Sequence, residues 1–376
     1  MTSIPFTKLL TLAALAAQFS RPVPAQTTLV YIGAYTRPPS KGITAYRFDP
    51  ASGQLTSLGL AAETSNPTFL AVHPNQKFLY AANEDSDGAV SALAIDPSTG
   101  HLKLLNRVSS RGSGPCHVAV DQPGHWLYAA NYNSGSVASF PIRADGGLGD
   151  AAGFAQHAGS SVNPQRQRGP HAHSANLAPD NRFLLAADLG LDQILVYRLD
   201  PAKGSLTPND PPFARLAPGS GPRHMAFSRD GRFAYVLSEM LATVTAFRYD
   251  AARGRLEDFE TVSIAPADYA GPKSGAEIAV HPNGRFLYAS NRGDSTIALF
   301  RIDPATGALT AADRTPTGGK TPRNFAIDPT GTWLFAANQD SGNVVLFRID
   351  PASGRLSASG KTVDIASPVC VVFVKP

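Results

Sequence analysis

The amino-acid sequence predicts an all-β protein: a seven-bladed β-propeller with four antiparallel strands per blade, its ring closed by the N- and C-terminal strands sharing one blade. Three observations carry this. A polar turn followed by an apolar strand recurs at intervals of about 50 residues, the spacing of a repeat architecture. A second landmark, Asp-Pro followed by Gly, recurs at the same interval. Finally, one strand is left over at each end of the chain, and each needs a partner.

The first landmark reads HPNQKFLYAANED, DQPGHWLYAANYN, APDNRFLLAADLG, SRDGRFAYVLSEM, HPNGRFLYASNRG and DPTGTWLFAANQD. The strands end at Asn83, Asn131, Asp188, Ser238, Asn291 and Asn338, so successive gaps are 48, 57, 50, 53 and 47 residues. A seventh copy, LVYIGAY, places Ala34 49 residues before Asn83. The second landmark reads RFDPASGQL, AIDPSTGHL, RLDPAKGSL, RYDAARGRL, RIDPATGAL and RIDPASGRL, with a degenerate PIRADGGL between the second and third. Asp-Pro and Gly between β-rich runs signal a hairpin. Each unit therefore holds four short strands, as in HVAV, HWLYAA, SVASFPI and a weaker last one, which is the pattern of a propeller blade. SPVCVVFVKP at the C-terminus and LVYIGAY at the N-terminus complete the seventh blade and close the ring. A solenoid would need capping repeats instead.

Composition agrees. Of 376 residues, 43% are hydrophobic and only 16% charged, enough for a large core. The 33 Gly and 31 Pro are scattered, as many turns require. A net charge of +4 without runs of Lys or Arg argues against a nucleic-acid surface and leaves room for small anionic ligands. Lys8, the apolar run LLTLAALAA and the small residues around Val23-Pro24-Ala25 predict a cleavable secretory signal over residues 1–25. Residues 26–376 then form the propeller domain, expected to be monomeric and periplasmic or secreted. No later segment approaches the ~20 apolar residues of a membrane helix. Cys116 and Cys370 are expected as buried free thiols, since their spacing demands no bridge.

In each blade the first strand starts, and the second ends, at one mouth of the channel, while the Asp-Pro hairpins lie on the other face. The first-strand starts carry Thr68, Cys116, His173, Arg223, Ala276 and Arg323; one residue later come Phe69, His117, Ser174, His224, Glu277 and Asn324. Repeated apolar positions stay constant while these slots diverge into His, Arg and Glu. At the strand ends, Ser238-Glu239 and Asn291-Arg292 add charge. His173, Arg223, Glu239, Glu277, Arg292 and Arg323 are thus candidates for one polar site. The plainer reading is that each only bonds a neighbouring blade or trapped water. The strand-end Asn residues read first as turn caps, and His73, His125 and His281 as solvated turn residues on the opposite face. His171 and His173 could pair on a metal, but no Cys or carboxylate follows nearby, and no metal or cofactor is expected.

Taken together, GPHAHSANLAPDNRFLLAADLGLD, GPRHMAF…SEM, AEIAVHPNGRFLYASNRGDSTI and TPRNFAIDPTGTWLFAANQDSGNV resemble the seven-bladed propeller lactonases. That family includes bacterial 6-phosphogluconolactonases and fungal carboxymuconate-lactonising enzymes. The resemblance spans the mature chain and implies catalysis by a His, an Arg and a Glu at one channel mouth without a required metal. By motif these fall on His173, Arg223 and Glu239, with Arg292 from SNRG. Either Glu239 or His173 is expected as general base, with arginines on the oxyanion or a substrate carboxylate. His171, His224, Glu277, Arg323 and Asn338 are expected to bind a small-molecule lactone of the gluconolactone type. A muconate-type cycloisomerase and a non-catalytic exported propeller are the alternatives. A serine nucleophile lacks its GxSxG elbow, and the arginine-rich mouth opposes a calcium site.

Overall fold

The computed structural model describes residues 1, 2 and 27–375. Apart from its first two residues, the leader expected over 1–25 lies outside them. The described chain forms seven four-stranded antiparallel sheets, the blades of a propeller. Blades 1 to 6 open with the strands Pro67–Val72, Pro115–Val120, Ala172–Leu177, Pro222–Phe227, Gly275–Val280 and Pro322–Ile327. The seventh blade orders Pro368–Val374 innermost, then Thr28–Ala34, Gly42–Asp49 and Gln54–Glu63. Its closing register pairs Leu29 with Val374 and Gly33 with Cys370, as the unpaired ends of the repeat require. Among the described residues, no helix is long and apolar enough to cross a membrane.

The second strand of a blade is an unbroken apolar run because both of its faces are covered. Phe233–Ser238 and Trp333–Asn338 are buried at every position, whereas an outer strand such as Gln54–Glu63 is mostly exposed. Apolar burial accordingly falls into seven clusters, each lying between two successive blades. The Asp-Pro hairpin serves the same interfaces. Gly53 adopts φ +70°, and a Cβ there would overlap the Trp333 indole of blade 6, whose Nε1 donates to the Pro50 carbonyl at 2.8 Å. Tyr235 and Tyr288 bond the equivalent turns through Gly307 and Gly354, at 3.0 and 2.6 Å. Substituting Gly53→Ala combines left-handed strain with this overlap. It is expected to cost about 1–3 kcal/mol in urea unfolding, and an unchanged midpoint would refute the account.

His73 and His281 correct the expectation of solvated turns. Both are buried, donating from Nε2 to the carbonyls of Gly124 (2.9 Å) and Gly331 (2.8 Å) in the next blade. A turn exposed within one blade is covered by its neighbour, which a single repeat does not reveal. His125 is exposed, as expected.

One irregularity positions the site. In blades 1, 2, 3, 4 and 6 the pairing of the first two strands slips by one residue, leaving Thr68, Cys116, His173, Arg223 and Arg323 without an opposite number. Blade 5 has the same gap across Ala276 and Glu277, and the closing blade has it at Val369. A bulge inserts an extra residue and re-aims its side chain. The seven bulges ring the channel, and three of their residues, Cys116, His173 and Arg323, line one cavity at its mouth.

Candidate active site

The bulge residues His173 and Arg323 meet the residues that follow the second strands, Glu84, Tyr132, Glu239 and Arg292, around one polar cavity, and the bulge residue Arg223 reaches Glu239 from a smaller void beneath it. The cavity measures about 290 Å³ and is also lined by Cys116, Arg166 and Ser274. Its volume is close to the ~300 Å³ lower bound for small-ligand sites.

Glu239 is the centre of the charge arrangement. Oε1 accepts from Arg166 Nη2 at 2.7 Å, and Oε2 lies 2.8 Å from Arg292 Nη2. Arg223 Nε is 3.2 Å from Oε2 but off the hydrogen-bonding direction, so it contributes charge rather than a bond. Burial opposes ionisation of Glu239, but Arg292, Arg223 and Arg166 outweigh it and hold the carboxyl at about 2. Arg223 is buried too, its guanidinium bonded to the Ala276 carbonyl. Burial, together with the Arg292 and Arg323 charges, brings it down to about 10, so it remains a cation at neutral pH.

His173 Nε2 lies 3.9 Å from Glu239 Oε2 and its Nδ1 3.7 Å from the Cys116 sulfur. Burial, then Arg223 and His224, push His173 well below the usual histidine range, so the ring is neutral. Burial pushes the Cys116 thiol up, and its S–H points at the His173 carbonyl, 3.2 Å away. His173 Nε2 makes no hydrogen bond to the described residues, and in the tautomer with its proton on Nδ1, toward the sulfur, it carries an open lone pair. Three guanidiniums, of Arg166, Arg292 and Arg323, face the carboxylates of Glu84 and Glu239 in this cavity, and buried Arg223 adds its charge beside Glu239, an excess that suits an anionic substituent. Arg323 has no hydrogen-bond acceptor among the described residues and rests 5.6 Å above the Tyr35 ring. Among those residues, no three His, Cys, Asp or Glu converge to hold a metal ion.

The structure therefore brings His173, Arg223, Glu239, Arg292 and Arg323 together. His224 and Glu277 lie one layer deeper, beside a small void shared with Arg223 and Arg323. His224 donates from Nδ1 to Glu277 Oε1 at 2.9 Å, and Asn324 donates to Oε2. Burial keeps His224 below its ordinary value against the pull of Glu277. With His117 and Phe69, whose rings stack at 4.2 Å, these side chains plug the channel beneath the cavity. His171 stands outside, stacked on Tyr132 at 4.6 Å with Nδ1 at the Tyr132 carbonyl, so it braces that ring. Asn338 does not line the cavity: fully buried, it donates to the Thr317 carbonyl at 3.2 Å as a turn cap. Cys116 and Cys370 are free and buried, as expected.

Sequence reasoning did not place Glu84, Tyr132 or Arg166 in the lactone site. Glu84 and Tyr132 occupy the same column after the second strand as Glu239 and Arg292, so comparing that column across all copies would have found them. Arg166 lies between blades 2 and 3, where the 57-residue gap already marked surplus chain.

Comparison with known proteins points the same way. The model of the family described as lactonase, 7-bladed β-propeller, matches residues 29–373. A 6-phosphogluconolactonase of Bacillus subtilis is 38% identical over 290 residues, covering 77% of this chain and 82% of the relative. One from Formosa agariphila is 34% identical over 301 residues, covering 77% and 84%. The solved structure of a periplasmic gluconolactonase of Pseudomonas aeruginosa superposes with a TM-score of 0.89 at 37% identity, covering 93% of this chain and all of that one.

Proposed function

Since this chain belongs to the seven-bladed β-propeller lactonase family, we propose that its arginine-rich cavity hydrolyses a sugar-acid lactone of the gluconolactone type, with His173 as general base. One observation carries the assignment of the base. Glu239 is caged by three guanidiniums, whereas neutral His173 turns an open Nε2 toward the same cavity. A carboxylate held at about 2 has little affinity for a proton, so Glu239 orients the arginines and balances their charge.

His173 Nε2 takes a proton from water as the water oxygen bonds to the lactone carbonyl carbon. The carbonyl electrons move onto oxygen, and Arg223 and Arg292 stabilise that oxyanion. Glu239, 3.9 Å away, favours the imidazolium formed at this step. Collapse breaks the ring C–O bond, and His173 returns the proton to the leaving alkoxide, giving the open hydroxy acid. Arg323 supplies the charge for an anionic substituent or the product carboxylate. The leader read at 1–25 favours the free lactone, since an exported enzyme meets it outside the cytosol.

The test is hydrolysis of glucono-1,5-lactone and its 6-phosphate by purified residues 26–376, corrected for spontaneous opening. Acceleration is expected on the free lactone, and the ratio of the two kcat/KM values ranks the phosphate. No acceleration on either would overturn the reading, and a lactone formed without net uptake of water would replace it with a cycloisomerase.

A further inference from the structure

We propose that residues 157–171 form a strap that delivers Arg166 to the cavity, and that Gln167 and Asp192 are the positioning residues that set it there. The inference rests on the lactonase reading of the cavity and adds residues that no motif marked. Among the described residues, Arg166 is the only arginine paired with Glu239 that lies outside a blade: its side chain is 44% exposed, yet Nη2 bonds both Glu239 Oε1 at 2.7 Å and the Tyr132 hydroxyl at 3.1 Å. A long surface side chain holds one geometry only if its backbone is held.

The next residue holds it. Gln167 is fully buried, donating from Nε2 to Asp192 Oδ1 and to the Leu189 carbonyl, both at 2.8 Å. Its Oε1 accepts from Asn163 N at 3.0 Å, and its own N–H donates to the Asn163 carbonyl at 2.8 Å, which closes the strap on itself. The strap's ends are also tied: His157 Nδ1 sits 2.6 Å from Asp188 Oδ2, and His171 N donates to Asp188 Oδ1 at 2.8 Å. The Gly169 carbonyl packs so closely on Gly190 that no Cβ fits there. Asp188 is the carboxylate in a column otherwise filled by Asn and Ser.

Asp192 links this strap to the rest of the site. Its buried carboxylate accepts from Ser161 Oγ (2.5 Å) and Gln167 on the strap, and from Gly219 N (2.7 Å), Ser220 Oγ (3.1 Å) and Gly221 N (2.7 Å) on the next connection. Gly221 in turn accepts from Glu239 N at 2.7 Å and leads directly into the strand bearing Arg223. One carboxylate thus registers Arg166 against both Glu239 and Arg223. A buried carboxylate with five donors is a rigid joint.

The experiment is a double-mutant cycle on lactone kcat/KM with Arg166→Ala and Gln167→Ala, plus Ser161→Ala as a milder, half-buried probe of the same joint. Arg166→Ala and Gln167→Ala are each expected to lower kcat/KM on the order of tenfold, and the double variant no further, since Gln167 acts through Arg166. Independent effects multiplying to about a hundredfold, or wild-type kinetics in Gln167→Ala, would overturn the proposal. Timed trypsin digestion adds a readout separate from activity. Cleavage after Arg166 or Arg168 is expected to quicken on the order of tenfold in Gln167→Ala and detectably in Ser161→Ala, because local opening controls proteolysis. Wild-type cleavage rates in both would sink the strap even if Gln167→Ala were catalytically impaired. If the wild type opens no lactone, the functional reading fails instead, and the digestion still decides whether this joint holds the strap.

Discussion

His173→Ala is expected to lower kcat/KM by about 10²–10⁴, the usual worth of a positioned general base. The substitution leaves Arg223 and Arg292 in place, so lactone binding through the arginines should survive and the loss should fall mainly on kcat. The wild-type pH profile follows from the depressed histidine. A base must be deprotonated, so activity falls as pH drops through its pKa. Because burial and Arg223 push His173 well below 6.5, the acid limb should lie below pH 6.5, with a plateau through neutrality. In His173→Ala that limb should vanish from whatever activity is left. An acid limb of unchanged position in the variant would remove His173 from the role and return the proton to another group.

Glu239→Gln is expected to cost about 3–5 kcal/mol of folding stability along with most of the activity, because a buried charge is removed from partners that stay charged. Arg223 and Arg292 are buried or nearly so and lose their counter-ion together, whereas Arg166 is exposed enough for water to replace part of its share. The pH dependence has a definite sign. The carboxyl titrates near 4.5 when unfolded and at about 2 when folded, so its contribution is fully present above about 4.5. It is lost as pH falls toward 2. Urea midpoints of wild type should therefore drop between pH 4.5 and 2 more steeply than those of Glu239→Gln. Equal stabilities at neutral pH, or parallel pH curves, would show that the cage contributes little to folding. A variant with normal stability but no activity would move Glu239 from charge balance to direct participation in the reaction.

The two variants also separate the roles. His173→Ala should retain the stability of the wild type within about 1–2 kcal/mol for a truncated side chain beside a cavity, while Glu239→Gln should not.

Much of this site could be read without coordinates. His173, Arg223 and Arg323 stood out because a repeat that keeps its apolar columns constant let one column diverge, and the structure gives that column a cause in the bulge each blade carries there. Glu239 and Arg292 stood out as charged residues directly after the strand ends Ser238 and Asn291. Tyr132 and Glu84 sit in the same column but drew no notice as site residues: Tyr132 is uncharged, and Glu84 belongs to a blade whose bulge carries only Thr68. Asn338 was drawn into the site from the strand-end column, although its side chain turns to the Thr317 carbonyl of its own connection. His73 and His281 looked solvated because a turn was judged within its own blade. Arg166 was hidden differently: the surplus chain between blades 2 and 3 was visible, but Arg166 and Arg168 are indistinguishable in SVNPQRQRGP until Gln167 is seen buried between them.

The number of blades, the strand order, the closure of the ring and the mouth where polar side chains gather are legible in the chain alone, because period, turn residues and strand polarity are local and repeat seven times. Which carboxylate is caged, which histidine is buried neutral beside it, and which loop arginine reaches the cavity emerge only once the blades are packed. Those depend on distances between residues of different blades, where burial and neighbouring charge, rather than residue type, set the protonation state.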